Sequence, residues 1–269
     1  MPLTIEGGRI PTRWAAKKDS RAAGIASQAR PPAERLRIAL INNMPDSALE
    51  DTESQFFSLL EAAAGDLPVG VKLFSLPGIS RGDAGRQHVN DFYFSTDDLS
   101  RGKFDGAIIT GTEPRHPDMR DEPYWRTLGD VMDWAARETT STVLSCLAAH
   151  AGVLYADGIP RHPLGEKRLG VFPHEKACDH PLLRGTPDRI HIPHSRWNEV
   201  RETELVTRGY TILTRSADSG ADMFVKQKKR SLFVHFQGHP EYAAKTLLKE
   251  YRRDIKRFLR QIGRASCRV

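Results

Sequence analysis

The chain of 269 residues carries 40 Lys and Arg against 34 Asp and Glu, a net charge of +6, and is 39% hydrophobic. That apolar share suits a domain with a packed core, and no run reaches the length of a membrane span, so a disordered chain and a membrane protein are both excluded. Three scattered cysteines, Cys146, Cys178 and Cys267, offer neither a disulfide framework nor a zinc spacing, so the setting is read as reducing and cytoplasmic and no metal is expected. Lys and Arg are mixed with acids rather than gathered into a stripe, which argues against nucleic acid. The cluster at residues 226–230 reads as a solvated turn, and anionic small molecules best explain any useful positive field.

Residues 1–34 mix Gly, Pro, Arg and Ala without an apolar period and read as a flexible arm. The arm lacks an apolar h-region, so a signal peptide is excluded. Residues 35–262 are expected to form a single α/β domain. It opens with the strand Leu36–Ile41, the segment Asn42-Asn-Met-Pro45 and an acidic loop, then a helix from Thr52 to Ala64 with Phe56, Leu59, Leu60 and Ala63 in phase and Gly65 as its cap. Strands follow at residues 69–75 and 104–111, the second ending in a glycine turn. Between them residues 89–94 carry aromatics that suit packing. Residues 124–138 have the spacing of an amphipathic helix, with Trp125, Leu128, Val131, Met132 and Ala135 on one face.

Ser141-Thr-Val-Leu-Ser-Cys-Leu-Ala-Ala-His-Ala-Gly152 passes from a β-branched run to helical spacing through the pair Ser145-Cys146. A strand, tight turn and helix here would lift the Cys146 thiol to a helix N-terminus, where the backbone N–H groups favour thiolate. Taken alone, the stretch fits a buried structural cysteine better, which is what a lone Cys usually is. Strands alternating with helices predict a three-layer, mostly parallel sheet with helices on both faces, whose ligands gather at the carboxyl ends of the strands, where Gly111 and Cys146 both fall.

Beyond Gly158 the pattern turns more β-like, with strands at 168–172, 189–192, 210–215, 223–226 and 231–236. The last leads into Gln237-Gly-His-Pro-Glu-Tyr242. Two residues apart in a turn, His239 and Glu241 can sit side by side, so that the carboxylate fixes the tautomer of the imidazole. With Cys146 they complete a parts list for nucleophilic acyl transfer. Residues 243–262 read as a helix with Leu247, Leu248, Tyr251, Ile255 and Phe258 facing inward, and residues 263–269 as a disordered tail of the kind cloning leaves behind.

Cys146 in its turn, with Gly238-His-Pro-Glu241 after a late strand, resembles the class I glutamine amidotransferase fold (flavodoxin-like in outline) and its Cys-His-Glu triad. Asn43-Met-Pro45, Thr52-Glu53-x-Gln55, Asn90-Asp-Phe-Tyr93, residues 104–111, Cys146-x-Ala-x-x-Ala151, Gly158-Ile-Pro160, Glu166-Lys167 and Pro193-His-Ser-Arg196, in this order, are similar to the homoserine O-succinyltransferase family built on that fold. The resemblance implies a ping-pong acyltransferase. Its acyl donor would be succinyl-CoA or acetyl-CoA, used as co-substrate with no bound cofactor, and its acceptor the side-chain hydroxyl of L-homoserine, in methionine-type amino-acid biosynthesis. It further implies a homodimer with small-molecule substrates only. Cys146, His239 and Glu241 would be catalytic, the backbone N–H groups of Leu147 and Thr112 would hold the oxyanion, and Lys167, Ser195, Arg196 and Arg253 would bind substrate. Arg253 would grip the carboxylate of the amino acid.

The chain departs from the family pattern at Thr112-Glu113-Pro114 and Arg115, positions that in the family help choose the acyl donor. Arg115 could pair with the distal carboxylate of a succinyl group or fill the pocket and leave room for acetyl. Serine or another hydroxy amino acid is the alternative acceptor. A glutamine-hydrolysing amidotransferase would use the same triad, but its turn reads Gly-x-Cys-x-Gly where this chain has Leu144-Ser-Cys-Leu-Ala148. A binding protein without catalysis is the third class, and the presence of all three triad residue types argues against it.

Overall fold

The structure is a computed structural model that describes residues 3–7, 11, 14 and 35–266, with side chains in the last stretch described to residue 260. Its centre is an eight-stranded sheet in the order β1-β3-β2-β4-β5-β12-β11-β8. The strands are β1 (Leu3–Ile5), β2 (Leu36–Ile41), β3 (Val69–Phe74), β4 (Gly106–Thr110), β5 (Ser141–Ser145), β8 (Thr211–Ile212), β11 (Met223–Lys228) and β12 (Ser231–Phe236). All neighbours from β1 to β12 run parallel, and β11 and β8 add an antiparallel edge. The mostly parallel sheet is therefore as expected.

Side-chain alternation divides the core between the two faces of this sheet. Ile41, Phe74, Ala107 and Ile109 pack with α4 (Trp125–Glu138) and α5 (Leu147–Asp157). On the opposite face Leu40, Val71, Leu73 and Ile108 pack with Phe56 and Phe57 of α1 (Leu49–Ala64). The helix of α1 begins three residues before the expected Thr52, and Gly65 caps it at φ +54°. The aromatic segment at 89–94 belongs largely to α2 (Asp83–Phe92), which is followed by the short α3 (Asp97–Arg101).

A second, four-stranded sheet lies in the order β10-β9-β6-β7, built from β6 (His162–Lys176), β7 (Arg189–Glu199), β9 (Thr214–Ser216) and β10 (Gly220–Ala221). It was not expected as a separate sheet. The segment read as one strand at 210–215 is broken at Leu213, so that Thr211–Ile212 joins the large sheet and Thr214–Ser216 the small one. The long β6–β7 pair extends the expected strand 168–172 in both directions and the expected strand 189–192 at its C-terminal end, to Glu199. A short α6 (Glu202–Thr207) follows it.

Three further expectations are corrected. Leu3–Ile5, within the region read as a flexible arm, is an edge strand parallel to β3, with Leu3 and Ile5 buried; most of the remaining arm lies outside the described residues. The final helix, α7 (Thr246–Ser266), continues through the first part of the expected tail, and residues 267–269 lie outside the described residues. Its apolar residues Leu248, Tyr251, Ile255 and Phe258 face outward, 40–58% exposed, instead of inward. The reason is the charge on the other faces of α7. Glu250 and Asp254 are turned to Lys167, Lys249 to Asp51 and Arg257 to Glu113, so polar ties hold the helix to the body. The basic cluster at 226–230 forms the β11–β12 hairpin as expected, but Lys226 and Lys228 both pair with Asp157. Among the described residues no helix is long and apolar enough to cross a membrane.

Several histidines are buried in this framework. His150 on α5 meets Gln237 Oε1 at 3.0 Å, while His235 stacks on Phe224 at 4.8 Å. Burial lowers both to a pKa of about 3, and burial together with Arg196 lowers His194 to about 2. These groups stay neutral in the fold yet take protons below pH 6.5 in the unfolded chain, so their contribution is complete above pH 6.5 and is lost as pH falls. Burial raises Asp222 from 3.8 to about 6, which opposes them between those two pH values. Three groups against one leave a net uptake of roughly two protons on unfolding. The urea midpoint should therefore drop between pH 6.5 and pH 5; equal midpoints would show that these rings are protonated in the fold.

Candidate active site

Strand pairing brings the functional side chains together. β5 and β12 are parallel neighbours with Ser145 opposite Phe236, and the Cys146 N–H donates to the Phe236 carbonyl at 2.8 Å. The chain turns sharply at Cys146, whose φ of +52° and ψ of −114° aim the side chain away from the strand before α5 begins at Leu147. A non-glycine residue held in this region signals a constrained turn. Gly111 makes room for it: a Cβ there would lie 2.4 Å from Leu147 Cβ and 2.8 Å from Ala148 N.

On the neighbouring strand, Gly238 serves the same purpose, since a Cβ would meet Pro193 O at 2.8 Å and His194 Cε1 at 2.9 Å. Its N–H donates to Asp222 Oδ1 at 2.6 Å, and the His239 N–H donates to Pro193 O at 2.8 Å, so both sheets grip this turn. His239 Nδ1 lies 2.8 Å from Glu241 Oε1, and the imidazole is also hydrogen-bonded to Cys146. Tyr242 stacks on the ring at 4.0 Å and is itself anchored through its hydroxyl to Glu250 at 2.9 Å. The Ser145 hydroxyl donates to the Glu241 carboxylate, 3.2 and 3.3 Å from its two oxygens.

Cys146, His239 and Glu241 are 5–8% exposed. Burial alone would lower the His239 pKa; the electrostatic influence of Cys146, followed by that of Glu241, outweighs it and holds the pKa well above the ordinary imidazole value. The ring thus stands beside the Cys146 sulfur on one side of a cavity of about 400 Å³, an arrangement able to pair a sulfur nucleophile with a proton donor.

Every site residue singled out in the sequence lines that cavity, but their partners differ. Lys167 is held by Asp254 and lies 4.0 Å from Glu250, tying β6 to α7. Ser195 presents a buried hydroxyl oxygen with no partner among the described residues. Arg196 is 4% exposed and donates to His194 Nδ1, to Asn198 O at 2.8 Å and to Ser219 O at 2.6 Å. Burial, then Arg168, lowers its pKa to about 10. Arg253 is partly exposed beside Asp254 and Glu250. Glu113 meets Arg257 through both oxygens at 3.1 and 3.2 Å. Arg115 is exposed at the cavity with no ion-pair partner among the described residues, while its backbone N–H and that of His116 bind the buried Glu122. The Leu147 and Thr112 backbones flank Cys146 across the cavity wall, and Leu147 belongs to the first turn of α5, whose N–H groups have no partner within the helix.

Ser145, Asp222, Tyr242 and Arg257 were not singled out as site residues. Ser145 and Tyr242 had a signal, since each adjoins a triad position. Asp222 and Arg257 had none, because their roles come from tertiary contacts. Other motif residues prove to be supports. Asn43 accepts the Leu76 N–H and donates to Thr110 O, joining three strand ends, and Glu53 is buried against Tyr93 and His88 at 2.6 and 2.7 Å.

His174, His194 and Asp222 form a buried group whose ligand atoms lie within 4.8 Å of one another. Arg196 bonds to His194 Nδ1, His174 Nε2 meets the Ser219 hydroxyl at 2.9 Å, and Gly238 donates to Asp222. A guanidinium at this position opposes a second cation, so the group acts as a support for the His239 turn.

Comparison with known proteins gives this geometry a family. The model of the family described as homoserine O-succinyltransferase matches residues 19–265. The chain belongs to the homoserine O-succinyltransferase family. Relatives of that name include a protein of Methylorubrum extorquens, 44% identical over 91% of this chain and 72% of its own length. Another, from Bradyrhizobium japonicum, is 47% identical over 88% of this chain and 73% of its own. A solved glutamine amidotransferase from Thermotoga maritima superposes with a TM-score of 0.52 at 13% identity, covering 85% of this chain and 86% of its own, and so shares the fold. The sharp turn at Cys146 yields a direct test. Gly111→Ala should cut the rate of any acyl transfer by about a hundredfold, because displacing a nucleophile by about 1 Å costs that much. Comparing steady-state rates of the two proteins checks it, and a variant of wild-type rate would show that Gly111 does not set the turn.

Proposed function

We propose that the protein transfers a succinyl group from succinyl-CoA to the side-chain hydroxyl of L-homoserine through a thioester on Cys146, in the cytoplasm and as a step in methionine-type biosynthesis. The observation that carries the reading is the hydrogen-bonded series Cys146, His239, Glu241 at the mouth of a cavity lined with cations, in a chain of this family. The Cys146 thiolate attacks the thioester carbonyl carbon, and the bond to the CoA sulfur breaks as His239 gives that sulfur its proton. Neutral His239 then takes the proton of the homoserine hydroxyl as its oxygen attacks the Cys146 thioester. The carbon–sulfur bond breaks, and thiolate and imidazolium are restored. Thioester exchange is nearly neutral in energy and ester formation from a thioester is downhill, so no nucleoside triphosphate is consumed.

Glu241 holds the His239 tautomer, and Ser145 steadies Glu241. The N–H groups of Leu147 and Thr112 receive the oxyanion, which needs donors about 3 Å away. Arg253 and Ser195 bind the amino acid. Lys167 and Arg196 act through their ties to α7 and to the β7 strand, and each subunit of a homodimer would carry the complete set. Incubation with succinyl-CoA alone should add one succinyl group to the intact protein, located at Cys146 by peptide mass spectrometry. Homoserine should remove it, and Cys146→Ala should neither gain the group nor release CoA. A wild-type protein that stays unmodified while O-succinylhomoserine forms would overturn the thioester.

Succinyl is preferred over acetyl because Arg115 reaches the cavity without an ion partner among the described residues, whereas Glu113 is neutralised by Arg257. A free guanidinium can pair with the distal carboxylate. Arg115→Ala should lower kcat/KM for succinyl-CoA by about tenfold, the value of one charge-assisted contact, and leave acetyl-CoA nearly unaffected. Equal losses with both donors would place Arg115 outside donor choice.

A further inference from the structure

We propose that Arg252, Lys256 and Arg260 on α7 bind the phosphorylated nucleotide of the acyl-CoA, an inference that rests on the acyltransferase reading above. Lys249, Arg252, Arg253, Lys256, Arg257 and Arg260 recur at spacings of three and four and so share one side of the helix. Together they line a shallow depression of about 400 Å³. Three of these cations are engaged, Lys249 with Asp51, Arg253 with Glu250 and Asp254, and Arg257 with Glu113. Arg252, Lys256 and Arg260 have no ion-pair partner among the described residues.

Two further features point to an anionic ligand. First, the three unengaged cations are four residues apart, so they stack as like charges along the helix, an arrangement that opposes folding until anions neutralise it. A merely solvated face mixes both signs. Here the acids Glu250 and Asp254 are turned instead toward Lys167. Second, Arg253 and Arg257 line both this depression and the reaction cavity, which sets the two side by side. A ligand with its carbonyl at Cys146 that leaves the cavity over the Arg253 and Arg257 rim comes directly onto this depression. From Arg253 to Arg260 the helix offers a run of roughly 10 Å, at 1.5 Å per residue. Acyl-CoA has the matching shape: an uncharged pantetheine arm that crosses the rim and phosphates at its far end.

The test is the triple charge reversal R252E/K256E/R260E in the full chain, with circular dichroism to establish folding. The quantity read is kcat/KM for succinyl-CoA divided by that for succinyl-pantetheine, which lacks the nucleotide. The ratio should fall by about tenfold or more, and in wild type it should fall with added salt, as exposed charge pairing does. A ratio unchanged by the reversal and insensitive to salt in an active wild type overturns this inference alone. A wild type that releases no CoA from any acyl-CoA overturns the acyltransferase reading and this one with it.

Discussion

The in-register parallel pairing of Ser141–Ser145 with Leu232–Phe236 is the constraint on which the site depends. It joins two strands remote in sequence and ends them at the same level, so the turn that follows each begins at one rim of the sheet. Cys146 emerges from one turn and His239 from the other, and the bond from the Cys146 N–H to Phe236 O ties the two together. Side chains alternate between faces, so a slip by one residue would turn every core residue of β12 to the wrong side. The buried apolar faces of both strands therefore defend the spacing of thiol and imidazole.

Around that rim the protein keeps charges out of water only where partners exist. Cys146 and Glu241 hold the His239 pKa up despite burial, and Ser145 adds a donor to the Glu241 carboxylate. Arg196, Asp222 and His194 form a polar layer beneath, each tied to backbone or to its neighbour. Arg196 and His194 lie on β7 of the small antiparallel sheet, and Asp222 lies where the chain passes from that sheet to β11, so the small sheet supplies most of this layer. Ion pairs, more than apolar burial, connect α7 to the rim, and that leaves its apolar residues outward and its charges at the cavity.

The likeness to a glutamine amidotransferase extends to the fold, in which a strand-to-helix turn holds Cys146 and the adjoining strand leads into the turn of His239. Leu147, Glu113 and Arg115, with Arg253 and Arg257 of α7, line the cavity beside the sulfur. The core residues that set the fold and the residues that line the cavity are thus largely different ones.

Periodicity and residue type determined a good deal. The apolar runs of β2, β4 and β5, the amphipathic α4, the Cys146 turn and the adjacent His239 and Glu241 were all legible because they rest on local patterns, the period-two strand, the helical stripe and the tripeptide turn. Local patterns could not reveal the second sheet, since Thr211–Ser216 looks like one strand until Leu213 crosses between sheets. They also misdirected α7, whose apolar residues were expected to face inward: the helix carries an apolar stripe and a charged one, and only long-range partners such as Lys167 and Glu113 decide which faces the body. The supports Asp222 and Arg257 were hidden for the same reason. A carboxylate or guanidinium acquires its role from what the folded chain sets opposite it, and that is a property of tertiary structure alone.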